Sequence, residues 1–126
     1  MLRSAFAKSP VPPPDARPSL LPVADPGAFD RVVLAADQDC LALFGTAWCR
    51  ACWRASERLA RLADRGSFAA LAIDVEASPE LARRYLVTGI PTILHFRNGQ
   101  DVGRRIGEMS DDDLDDWLAV SGLRQR

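Results

Sequence analysis

The chain has 126 residues, a single domain by the usual range of about 100–200 residues per domain. Sixteen Lys and Arg stand against 17 Asp and Glu, for a formal net charge of −1, which excludes the strong positive field of a dedicated nucleic-acid binder. A composition of 48% hydrophobic and 26% charged residues is ordinary for a globule, three cysteines are too few for a disulfide-stapled mini-domain, and no uninterrupted apolar run approaches the roughly 20 residues of a membrane helix.

Seven of the nine prolines fall within the first 26 residues. In the opening stretch, MLRSAFAKSPVPPPDARPS, the apolar piece Ala5-Phe6-Ala7 stops at Lys8, too short for a secretory signal. Pro10, Pro12, Pro13, Pro14 and Pro18 favour an extended, polyproline-like leader over residues 1–18, with the globular domain expected over 19–126. The basic start, with no acid before Asp15, leaves an organelle-targeting peptide open beside a disordered bacterial leader. The expected compartment is the cytoplasm. About 100 remaining positions suffice for a modest core without staples.

Short apolar runs then alternate with helical patterns. Ser19 to Ala24 suits a short edge strand, because Pro22 is unwelcome in a central one. Asp25 is placed to cap a helix that has Pro26 at its first position and Phe29, Val32, Val33 and Ala36 at helical spacing. Cys40 to Gly45 is apolar throughout, as a strand buried on both faces should be. The next helix is expected from about Cys49 to Asp64, with Cys52, Ala55, Leu59 and Leu62 on one face and Gly66 as its stop.

Phe68 to Val75 reads as a second buried strand. Ser78 as cap and Pro79 as first residue open a short helix through Tyr85. Thr92 to Arg97 and Asp101 to Ile106 form a hairpin across Asn98-Gly99, the strongest two-residue hairpin signal. Ser110, followed three residues later by Asp113, starts a last helix with Leu114, Trp117 and Leu118 inward. The sum is an α/β fold: a central mixed sheet of four to five strands, parallel βαβ units and then an antiparallel hairpin, flanked by helices.

Chemistry is concentrated in Trp48-Cys49-Arg50-Ala51-Cys52, where a buried strand gives way to a helix. Two cysteines separated by two residues can close a small disulfide ring or act as paired thiols. Unpaired N–H groups and the macrodipole at the helix start favour a thiolate at Cys49. Cys52, one turn deeper, is the less accessible thiol and stays protonated more readily. This asymmetry suits a nucleophile and a resolving partner. A structural zinc site needs four ligands, and neither Cys40 within its strand nor the single histidine, His95, completes one. A metal or cluster carrier therefore stays a minor alternative.

Around that motif, AFD at 28–30, the strand and WCxxC over 41–52, GIPT at 89–92, FRNG at 96–99 and Gly107 resemble the thioredoxin family in order and spacing. The resemblance spans about residues 20 to 122. It implies a thioredoxin-like fold and a dithiol protein-disulfide reductase: Cys49 as nucleophile, Cys52 as resolving thiol, and no cofactor beyond their redox-active disulfide. It also implies a cis peptide at Ile90-Pro91, with Trp48, Ile90, Pro91 and Gly107 framing the substrate groove. The implied partners are disulfide-containing proteins and an external thiol reductase or other electron donor, with no nucleic acid and no membrane span, for a monomer.

Departures from the family pattern sharpen the expectation. The family's buried aspartate and its lysine partner correspond here to Leu43 and Ala70. Arg50-Ala51 stands where Gly-Pro is usual, Trp53 replaces a lysine, and Glu57 replaces a mid-helix proline, so a straighter helix is expected. Arg50 beside Cys49 should favour the dithiol and make a stronger oxidant than a housekeeping thioredoxin. Without the buried charges, a binding, assembly or redox-sensing module with little turnover is the main rival. Cys40 is read as a packing residue and His95 as structural. Arg54, Arg58, Arg61 and Arg65 read as a solvated stripe partly paired with Glu57 and Asp64, and Asp111-Asp112-Asp113 as macrodipole complement.

Overall fold

Strands β1 (Leu21–Val23), β2 (Asp39–Gly45), β3 (Phe68–Asp74), β4 (Thr92–Arg97) and β5 (Gln100–Ile106) form one sheet in the order β1-β3-β2-β4-β5. The computed structural model describes residues 20–66 and 68–123; the leader expected over 1–18 lies outside the described residues. Both β1 and β2 run parallel to β3, whereas β4 is antiparallel to β2 and β5 to β4. The helices are α1 (Pro26–Phe29), α2 (Arg50–Arg65), α3 (Pro79–Arg84) and α4 (Asp111–Val120).

The apolar run of β2 takes the centre because only a doubly covered strand buries side chains of both parities. Leu41 and Leu43 join a cluster with Cys52 and Leu59 of α2 and Leu114 and Leu118 of α4. Ala42 and Phe44 join Phe29, Val33 and Leu81 on the opposite side. Thus α2 and α4 cover one face, α1 and α3 the other, and each buried Leu or Phe contributes about 1.5–3 kcal/mol. Phe29, Tyr85 and Phe96 close the second cluster with ring centroids 5.1 to 5.4 Å apart.

The β4–β5 turn has Asn98 at φ +54° and Gly99 at φ +78°, the left-handed pair that a two-residue hairpin uses. A register shift at His95/Phe96 bends the edge strand. At this pole β2 begins at Asp39, one residue before the apolar run, because Asp39 carries a network. Its carboxylate accepts from Arg97 (2.8 Å) and lies 2.8 Å from the buried His95 Nε2, while Arg97 also donates to the Ser121 carbonyl at the end of α4. Burial alone would raise the Asp39 carboxyl, but the hydrogen bonds from Arg97 and His95 outweigh it and hold it below its ordinary value.

Three expectations are corrected. The helix after Asp25 is one α turn that widens into a π-helical segment, Asp30–Leu34, where β-branched Val32 and Val33 crowd the winding. Ser78 occupies the position before α3 but its hydroxyl is buried without a partner; Asp74 instead accepts from the Glu76 and Ala77 N–H groups and shapes that turn. Of the α2 arginines, Arg54 and Arg58 reach across to the approach to α4 and not to Glu57 or Asp64. Arg54 pairs with Glu108 at 2.8 Å, and Arg58 pairs with Asp111 and donates to the Met109 carbonyl.

Candidate active site

The connection 46–49 leaves β2 at the carboxyl end of the parallel strands, the end at which open α/β sheets place their sites. Cys49 is the N-cap of α2, in extended conformation, and its sulfur accepts the backbone N–H of Cys52 at 3.2 Å. Cys49 and Cys52 form a disulfide with a Cα–Cα distance of 5.2 Å. Their environments differ sharply. Cys49 is partly buried, whereas Cys52 is fully buried in the cluster that contains Leu43, Leu59, Ala70 and Ile93.

Both flanking tryptophans are tethered. Trp48, 69% exposed, donates its indole N–H to Glu76 Oε1 at 2.7 Å. Trp53, 42% exposed, donates its indole N–H to the Ala47 carbonyl at 2.6 Å. Arg50, the first residue of α2, is exposed and makes no ion pair among the described residues.

Opposite the cysteines, the Ile90–Pro91 peptide is cis, and the Pro91 carbonyl accepts the Gly107 N–H at 2.8 Å. Gly107 sits at φ +90°, a conformation that side chains disfavour. Ile90 and Cys49 pack against the same buried cluster, and Ala51 and Gly107 line one small cleft together with Ile93 and Met109. The cysteine motif and the cis-proline turn, distant in sequence, therefore meet at one end of the sheet.

Sequence reasoning missed three contributors. Glu76 orients Trp48 from 28 residues away, which no local pattern signals. The Ala47 carbonyl that receives Trp53 is equally invisible. Ile106, 64% exposed next to Gly107, was detectable as the apolar end of the hairpin strand. The third cysteine, Cys40, is buried and free, and burial raises its thiol, with the Asp39 charge adding to that effect. Among the described residues no group of three or more His, Cys, Asp or Glu gathers as a metal site needs, and no helix is long and apolar enough to cross a membrane.

Comparison with known proteins agrees with this geometry. The family description Thioredoxin matches residues 21–120. A thioredoxin of Rhodospirillum rubrum is 31% identical over 96 residues, covering 75% of this chain and 92% of that protein. A bifunctional thioredoxin reductase/thioredoxin of Mycobacterium leprae is 34% identical over 82 residues, 64% of this chain and only 18% of that protein. The solved structure of a point-mutant thioredoxin from Halobacterium salinarum superposes with a TM-score of 0.73 at 31% identity, covering 79% of this chain and 88% of that one. The chain belongs to the thioredoxin family and is a thiol–disulfide oxidoreductase.

Proposed function

We propose that Cys49 is the attacking thiol and Cys52 the resolving one, and that the substrates are disulfides in extended polypeptide segments. The observation that carries this reading is the contrast within one helical turn: the Cys49 sulfur receives a backbone N–H at a helix N-terminus, while Cys52 is sealed from solvent. The first setting favours a thiolate; the second keeps a thiol in reserve. Cys49 thiolate attacks a substrate disulfide and expels one substrate thiolate, leaving a mixed disulfide. Cys52 thiolate then attacks the Cys49 sulfur and expels the second, so the substrate gains two electrons and the protein becomes a disulfide.

In this reading Trp48, Arg50, Ala51 and Trp53 border the reacting sulfurs, and Ile90, Pro91 and Gly107 form the facing wall, along which a substrate backbone would pair as an added strand. No cofactor enters, because the cysteine pair carries both electrons, and an external thiol reductase restores the dithiol. A free buried Cys40 suits the reducing cytoplasm, and we assign a monomer there. Trapping with Cys52→Ser tests the assignment: a stable mixed disulfide through Cys49 is expected, and capture through Cys52 in the Cys49→Ser protein instead would reverse the roles. A redox-sensing module with little turnover gains weight from the wholly apolar cluster around Cys52. Insulin disulfide reduction separates the two, since turnover with both cysteines intact excludes the module.

A further inference from the structure

Trp53 spends both of its N–H groups on the segment that carries Cys49. Its backbone N–H donates to the Cys49 carbonyl at 3.1 Å, as helix geometry requires, but its indole N–H reaches back to the Ala47 carbonyl at 2.6 Å. The second bond is not part of any regular element. It ties the turn before the nucleophile to the helix after the resolving thiol. The Cys49 N–H also donates to the Thr46 carbonyl at 3.3 Å, so the turn is held at both ends. Residues 49 and 53 lie one helical turn apart, and Trp53 therefore flanks Cys49 on the same side of α2.

The disulfide imposes much the same constraint, holding Cys49 against Cys52, but only while it is oxidised. Once it is cleaved, the connection 46–49 is exposed at Trp48 and has nothing covalent to hold it. The indole bond involves neither sulfur. We propose that Trp53 is a positioning residue: through the Ala47 carbonyl it keeps Cys49 poised over Cys52 in the dithiol form, so that the two sulfurs meet at high effective concentration. The inference rests on the dithiol reading of Cys49 and Cys52, and it assigns Trp53 no contact with the reacting atoms. Its thermodynamic consequence follows from the exchange of protein disulfide plus two glutathione thiols for protein dithiol plus glutathione disulfide. A poised dithiol loses less freedom on oxidation, so the clasp favours the disulfide side.

Trp53→Phe removes the donor and keeps a ring. In equilibration with reduced and oxidised glutathione, this variant is expected to form its disulfide about fivefold less favourably than the parent, the factor that one ordinary hydrogen bond supplies. Trp117→Phe, at a ring that meets His95 edge-on at 6.5 Å and makes no hydrogen bond to the 46–49 turn among the described residues, serves as the comparison and is expected to leave the couple unchanged. A Trp53→Phe constant within twofold of the parent overturns the proposal. A second readout covers a folding defect in the variant: in the unmodified dithiol protein the Trp53 indole N–H should exchange slowly with solvent, and exchange as fast as that of a free indole overturns the proposal equally. Because the glutathione equilibrium needs no protein substrate, a failure to reduce insulin would count against the function above and leave this test intact.

Discussion

Leu43→Asp asks whether the second half of the reaction is the slow half. Leu43 is fully buried in the cluster that holds Cys52, and the other members near that helix turn, Leu59, Ala60, Ala70 and Ile93, are apolar as well. In the proposed mechanism the resolving step consumes a Cys52 thiolate, and an apolar setting opposes that charge. With no carboxylate in the cluster, the proton must leave through water, and resolution should quicken about tenfold per pH unit while the thiol remains protonated. An aspartate at position 43 adds a base to the cluster at a cost. Deleting most of a buried Leu costs about 2–5 kcal/mol, and a poorly partnered polar group adds about 1–3 kcal/mol. Against a total stability of about 5–15 kcal/mol the variant stays folded only in the upper part of that range, with a melting midpoint lowered by roughly 15–30 °C. Leu43→Asn carries a similar cost without the base. The assay starts from a mixed disulfide between Cys49 and a peptide and follows peptide release at low temperature, where both variants are folded. Leu43→Asp should release at least about tenfold faster than Leu43→Asn above neutral pH. Equal rates for the two, or a parent rate independent of pH between about 6 and 9, would refute the reasoning.

Other expectations concern the charge beside the nucleophile and two structural anchors. The Cys49–Cys52 couple should lie above about −270 mV when equilibrated with glutathione, and Arg50→Glu should lower it by roughly 10–20 mV by removing a cation that favours the dithiol. Asp39→Ala strands the buried His95 and should cost about 1.5–3 kcal/mol in urea denaturation at about pH 6. Because the Asp39 carboxyl titrates lower in the folded chain than its ordinary value of 3.8, its contribution is present above that pH and lost as pH falls through the folded value. The gap between parent and variant should therefore shrink below about pH 4, and a constant gap down to about pH 2.5 would rule out the ionic origin. Gly99→Ala places a side chain at φ +78° and 3.3 Å from Leu34, and a loss of about 1–2 kcal/mol is expected by the same measurement.

What could be read in advance was whatever the chain settles within a few residues. The apolar runs that became β2 and β3, the Asn98-Gly99 turn and the cysteine pair at the start of α2 each depend on near neighbours, and each stands where the pattern put it. Contacts across the sheet were not legible. An arginine row on α2 could as well meet Glu57 and Asp64 of its own helix as Glu108 and Asp111, and only the return of the chain along α2 decides for the latter. Ser78 before Pro79 has the composition of a cap and stands at that position, yet its hydroxyl makes no capping bond, and the turn ahead of it is shaped by Asp74, which accepts from the Glu76 and Ala77 N–H groups. The same holds at the site itself. The cysteines announce the chemistry, but the acceptors that hold their tryptophan neighbours, Glu76 and the Ala47 carbonyl, follow only from the folded turn.

That division bears on how such a site can be altered. In the roles proposed above, activation of Cys49 draws first on the backbone, an N-terminal N–H group on its sulfur and the helix dipole behind it, with Arg50 as the neighbouring charge. It does not depend on a distant side chain and survives the loss of one. Management of the Cys52 proton does depend on side chains brought in from β2 and β3, and at positions 43 and 70 those are Leu and Ala, which pack and nothing more. On the proposed assignment, attack and release are thus governed by different parts of the fold. A chain of this kind can keep its capacity to capture a disulfide while its rate of letting go is set by which side chains line one buried cluster.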